Sequence, residues 1–114
     1  MHFSSIQDFY GLSNGVKIPC IGFGTWRLAN SLESVSTIKT AIGCGYRHID
    51  TASGYGNEES VGKAVIESGI PRKDLFITTK LHNPDHGYDN TIAAFNRSLT
   101  NLQMDYADLY LIHW

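Results

Sequence analysis

Asp50, Tyr55, Lys80 and His113 are a carboxylate, a phenol, an ammonium and an imidazole within one chain of 114 residues. Asp50 closes Tyr46-Arg47-His48-Ile49-Asp50, Lys80 closes Leu75-Phe76-Ile77-Thr78-Thr79-Lys80, and His113 closes the apolar run that begins at Ala107. Tyr55 follows Asp50 in the glycine-flanked loop Ser53-Gly54-Tyr55-Gly56. Brought to one rim of a sheet, these groups are the parts needed to protonate a carbonyl oxygen. A free phenol titrates at about 10, too high for efficient proton donation at neutral pH, and a neighbouring ammonium favours its ionised form. Lys80 is the candidate ammonium. A lysine withdrawn from water tends to shed its proton, so it needs a carboxylate beside it, and Asp50 meets that need. A ring nitrogen of His113 aimed at the rim would donate to the same carbonyl oxygen, polarising and orienting it.

Each residue alone also has a plainer reading. Asp50 could cap a turn, Tyr55 could cover apolar surface, and His113 could be a core histidine satisfied by backbone. Three polar residues at successive strand ends favour chemistry, because catalytic groups of α/β barrels collect there. His82 and His86 have the spacing of a helical metal pair, but Pro84 breaks the helix that would align them, so no metal site is expected. Cys20 and Cys44 are far apart without ligand neighbours and read as inert, partly buried thiols. Trp26 and Trp114 flank strand ends and are candidates to line a pocket for the organic part of a substrate.

The elements that must position these groups follow from the pattern. Phe9–Leu12 and Val16–Ile18 around Ser13-Asn14-Gly15 predict a hairpin, Asn-Gly supplying positive φ angles. Pro19 ends it. Ile21 to Trp26 predicts a first strand whose glycines, Gly22 and Gly24, leave room for another backbone or a ligand. Apolar residues at 32, 35, 38, 41 and 42 predict a helix over Ser31–Ile42, stopped by Gly43 and Gly45. Asn57 reads as the cap of a second helix, with Glu58 and Glu59 against its positive end and Val61, Ala64, Val65 and Ile66 inward. A third helix, capped by Asp89 or Asn90, would turn Ile92, Ala93, Phe95, Leu99 and Leu102 inward. The unbroken apolar and β-branched start of Leu75–Lys80 suits a strand buried on both sides. The order is a hairpin over residues 1–19, then βαβαβαβ over 20–114, which implies right-handed crossovers and a parallel sheet. A doubly wound nucleotide fold needs a Gly-x-Gly-x-x-Gly turn, and the stretch from Gly22 has Arg27 at its last position, which leaves a barrel.

Composition narrows the partners. With 42% apolar and 18% charged residues and a net charge of −2, the chain is an ordinary globular domain without a basic patch, so nucleic acid is not an expected partner. The start of the chain, from Met1, lacks the basic and apolar regions of a signal peptide. No apolar run approaches the roughly 18 residues that span a bilayer. A cytoplasmic protein without membrane contact is expected.

Gly22-Phe23-Gly24-Thr25-Trp26, the run Gly45 to Gly62, Thr78-Thr79-Lys80 and Asp105 to Trp114 together resemble the aldo-keto reductases over nearly the whole chain. The resemblance implies the N-terminal half of a (β/α)8 TIM barrel and a reduction of aldehydes or ketones with NADPH. It makes Tyr55 the general acid, Lys80 and Asp50 the residues that tune it, and His113 the group that orients the carbonyl. Gly24, Thr25 and Asp50 would lie near the nicotinamide, and Trp26, Tyr55, His113 and Trp114 would border a small carbonyl substrate. His82 departs from the tryptophan that many members carry after Thr-Thr-Lys-Leu. The resemblance also implies four later strands bearing most of the cofactor site. Four strands alone leave two open edges, which invites completion by a C-terminal half or self-association. A non-catalytic half-barrel serving assembly is the alternative. A Schiff-base barrel with Lys80 as nucleophile is the weaker one, because Asp50 opposes the neutral amine it requires.

Overall fold

The computed structural model describes residues 4–114; the first three residues of the expected lead-in lie outside them. Strand β1 (Phe9–Gly11) pairs antiparallel with β2 (Lys17–Pro19). The turn between them differs from a two-residue Asn-Gly turn. Gly15 alone has positive φ (85°), and its N–H donates to the Leu12 carbonyl at 2.9 Å. One turn followed by a left-handed glycine is the three-residue solution for a hairpin.

Four further strands form a second sheet: β3 (Phe23–Gly24), β4 (His48–Asp50), β5 (Phe76–Leu81) and β6 (Leu109–Ile112). They lie side by side in chain order, and every pairing is parallel. Helices α1 (Leu32–Gly43), α2 (Glu58–Glu67) and α3 (Tyr88–Leu102) make the crossovers. The architecture is the first half of a (β/α)8 barrel preceded by a hairpin. Strand β3 is shorter than the six-residue strand expected there, because the chain turns at Trp26 and Arg27: Leu28 N–H donates to Thr25 O at 3.1 Å, and Arg27 has a φ of 69°.

Successive residues of a strand point to opposite faces. Ile49 and Ile77 turn outward into a core with Val35, Ile38 and Ile42 of α1, Val61, Ala64 and Val65 of α2, and Leu102 of α3. His48, Asp50, Phe76, Thr78 and Lys80 occupy the other face. There His48 Nε2 lies 2.8 Å from Thr78 Oγ1, and its ring meets Phe76 edge-on at 4.9 Å. Burial pushes the His48 imidazole down, with Asp50 opposing.

The helix faces differ from the apolar stripes at particular positions. Leu32 is 73% exposed, and at 3.6 residues per turn it lies about 120° around α1 from Ile38. Ile66 is exposed for the same reason, about 140° from Val61 on α2. On α3 the buried stripe is Ala94, Ser98 and Leu102, flanked by half-buried Phe95 and Leu99, while Ile92 and Ala93 face water. A serine belongs in that stripe because Ser98 Oγ donates to Glu58 Oε1 at 3.2 Å, and Thr79 Oγ1 donates to Glu58 Oε2 at 2.7 Å. Glu58 thus sits buried between α2, β5 and α3 rather than simply facing a helix end. Gly62 marks the closest approach of α2 to α3: a Cβ there would overlap the backbone of Leu102. Gly87 precedes α3, and neither Asp89 nor Asn90 caps it. Both cysteines are free, Cys20 half-buried and Cys44 exposed rather than partly buried. Ile112 on the β6 edge is 71% exposed. No helix of the described residues is long and apolar enough to cross a membrane.

Candidate active site

Parallel strands end at a common rim, and β4 and β5 bring Asp50 and Lys80 to it side by side. Lys80 Nζ donates to Asp50 Oδ2 at 2.8 Å, to the Thr51 carbonyl at 3.0 Å and to Tyr55 Oη at 3.4 Å. An ammonium has three N–H bonds, and all three have acceptors here. The Lys80 side chain is 12% exposed and that of Asp50 33%, so the charge is held largely out of water and matched by a carboxylate. Since Tyr55 Oη accepts from Lys80, its own O–H proton is free to point elsewhere. The contact is long, as such contacts commonly are before substrate arrives.

The loop that carries Tyr55 is a single 3₁₀ turn, Ser53–Tyr55, closed by Gly56 at φ 70°. Ser53 Oγ donates to the Lys80 carbonyl at 3.2 Å, fastening the loop to β5. His113 follows β6, its N–H on Leu81 O at 3.3 Å, and its ring meets that of Tyr55 at 5.5 Å and 75°. Its ring nitrogens make no hydrogen bond among the described residues. The four residues named from the sequence as acid–base groups therefore converge.

Two of them, Tyr55 and His113, open on a cleft of about 360 Å³ lined also by Trp26, Gly54, His82, Asn83 and Trp114, while Lys80 and Asp50 stand behind Tyr55. Trp26 and Trp114 are 65% and 85% exposed and form its walls. Gly24 is exposed, and a Cβ on it would meet nothing within 4 Å. Thr25 is fully buried, and its hydroxyl donates to Asp50 O at 3.1 Å and lies 3.4 Å from Asn57 Oδ1. It supports the rim from beneath. Tyr110, on the outer face against Phe95, has its phenol pushed up by burial and by Glu58 and Asp85, which suits it poorly to proton transfer.

Asn57 is the residue whose importance the sequence conceals. Its side chain makes no cap bond on α2. Instead Nδ2 donates to Thr25 O at 2.7 Å and to Leu28 O at 3.0 Å, while Oδ1 accepts from Thr51 Oγ1 at 2.8 Å. One buried amide thereby ties the segment after β3 to the segment after β4 and holds Trp26 and the Thr51 carbonyl in place. Its partners lie up to 32 residues away, so only the short Thr51–Asn57 spacing was a local signal.

The profile of the aldo/keto reductase family matches residues 20–114. Glyoxal reductase of Bacillus subtilis is 51% identical over 111 residues, which is 97% of this chain and 40% of that protein. Morphine 6-dehydrogenase of Pseudomonas putida is 50% identical over 103 residues, 90% of this chain and 34% of its own length. An aldo/keto reductase from Brucella melitensis superposes with a TM-score of 0.92 at 51% identity, covering all of this chain and 43% of that one. A Bombyx mori aldo-keto reductase in complex with NADP gives 0.89 at 40% identity over 96% of this chain and 39% of its own. This chain spans about two fifths of the length of these relatives. By sequence and by fold, the chain belongs to the aldo/keto reductase family.

Proposed function

We propose that this chain forms the acid–base half of a reductase that converts aldehydes and ketones to alcohols with NADPH. The observation that carries the reading is the Lys80 ammonium, bonded at once to Asp50, to the Thr51 carbonyl and to the phenol oxygen of Tyr55. In this reading the substrate carbonyl enters between Trp26 and Trp114. A ring N–H of His113 donates to its oxygen and fixes its direction. As negative charge grows on that oxygen, Tyr55 delivers its proton, and the ammonium of Lys80 stabilises the phenolate left behind. Asp50 pairs with Lys80 and holds its Nζ in place against the phenol.

The donor set fits the nicotinamide end of the cofactor: an open, exposed glycine, Gly24, lies in register with Asp50 across β3 and β4. Gly24 and Asp50 would border the ring, with Thr25 acting through its hold on the Asp50 backbone. When bound, NADPH supplies the hydride to the carbonyl carbon. The neighbour solved with NADP supports that choice of cofactor, and relatives named for glyoxal and morphine indicate a breadth of carbonyl and alcohol substrates.

The test is NADPH oxidation by the intact natural protein with small aldehydes, in the wild type and in Tyr55→Phe. Loss of about 10²–10⁴-fold in kcat with NADPH affinity retained is the expected result. Equal turnover in the two forms removes Tyr55 from the acid role.

A further inference from the structure

The imidazole of His82 lies in the proposed substrate cleft without a task. It lines the cleft with Tyr55 and His113, and its ring nitrogens make no hydrogen bond among the described residues. Its ring rests on Gly54, where a Cβ would sit 2.8 Å from Nδ1, so the absence of a side chain at residue 54 is what lets the ring lie there. The cleft has two imidazoles in its lining and no carboxylate. Two acids close to the lining residues in sequence are engaged elsewhere: Asp50 is bound to Lys80 at 2.8 Å, and Asp85 faces Arg97 at 3.4 Å. Behind one wall, the guanidinium of Arg27 stacks on Trp26 at 4.5 Å. Basic groups without opposing acids raise the local concentration of anions. With His113 and Tyr55 directed at the carbonyl, a second imidazole N–H has room for a second acceptor on the same molecule.

We propose that His82 selects carbonyl substrates bearing a carboxylate, donating an N–H to that carboxylate while the carbonyl engages Tyr55 and His113. The inference rests on the reductase reading and adds a substrate class to it. A hydrogen bond to a charged acceptor is about twice as strong as one to a neutral acceptor, so an acid should be preferred over its neutral ester.

The intact natural protein with NADPH is assayed on 4-carboxybenzaldehyde and on methyl 4-formylbenzoate, and the ratio of kcat/KM values is read. The wild type should favour the acid by about tenfold. His82→Ala should erase that preference chiefly through KM. Gly54→Ala, which displaces the ring without removing it, should lower the ratio in the same direction. His82→Gln, which keeps an N–H donor, should retain part of it. A wild-type preference for the ester, or a ratio unmoved in both His82→Ala and Gly54→Ala, overturns the inference while leaving the reductase reading intact. Reduction of neither aldehyde by the wild type fails the reductase reading, and the inference falls with it.

Discussion

The two ends of the parallel sheet carry nearly the same parts and use them differently. At the rim, Lys80 pairs with Asp50 at 2.8 Å and lies 5.1 Å from the ring centre of Tyr55. At the opposite end, Arg72 pairs with Asp108 at 2.8 Å and stacks at 4.1 Å on Tyr106. The guanidinium, however, is consumed by structure: it donates to Leu75 O at 2.9 Å and Tyr106 O at 3.0 Å, and Asp108 accepts from Ile77 N at 2.8 Å. These bonds stitch the turn before β5 to the start of β6. A hollow of about 380 Å³ does lie there, lined by Val65, Ile66, Ile70, Arg72, Met104 and Tyr106 among others. What it lacks is a hydroxyl bonded to the cation. Of the two ends, it is the rim where an ammonium hands a hydrogen bond to a phenol oxygen, leaving that phenol's proton free for a cleft. Size of a hollow and presence of an ion pair are thus poor guides to chemistry; the identity of the third partner decides.

Substitutions that exchange the two ends should separate activity from stability. The largest contrast is between the tyrosines: Tyr55→Phe should cost about 10²–10⁴ in kcat, whereas Tyr106→Phe, whose ring face survives, should leave steady-state turnover intact. Next come the ion pairs. Arg72→Met should lower unfolding free energy by about 2–3 kcal/mol in denaturant titration, because Asp108 is left half-buried without its partner. It should leave kcat in place. Asp50→Asn should do both kinds of damage, lowering kcat with Lys80 no longer matched and costing about 2 kcal/mol of stability. Smaller again, Gly62→Ala should destabilise by about 1–3 kcal/mol, since the Leu102 backbone must retreat; equal stability of the two forms would show that α3 moves freely.

The smallest effect concerns pH. The folded state holds the His48 imidazole below its ordinary value of 6.5, so below that pH the unfolded chain binds a proton that the folded chain resists. Stability should therefore fall as pH drops through 6.5 and level off once the lower folded value is passed. Denaturation midpoints at several pH values in the wild type and in His48→Gln measure the slope, which the variant should lack.

How far the sequence predicts this arrangement depends on distance along the chain. Asp50, Lys80 and His113 were legible because each is a polar residue at the end of an apolar run, and parallel strands bring such ends together. The hairpin, the three helices and the strand order were legible from period and turn residues. What escaped is polar burial with distant partners. Ser98 in the inner stripe of α3 makes sense only once Glu58, 40 residues away, is seen to accept its proton. Asn57 looks like a cap because asparagine before two glutamates usually is one, yet Thr25 O and Leu28 O offer its amide better partners. Leu32, Ile66 and Ile92 belong to apolar spacings, but the packed face of each helix is narrower than its apolar arc.

A double-mutant cycle in the intact natural protein tests the central claim, that Lys80 acts through the phenol of Tyr55. Values of kcat are measured for wild type, Lys80→Met, Tyr55→Phe and the double variant. If Lys80 serves Tyr55, the double variant turns over no more slowly than Tyr55→Phe alone. Losses that multiply, each substitution costing as much in the variant background as in the wild type, would show two independent groups and contradict the account.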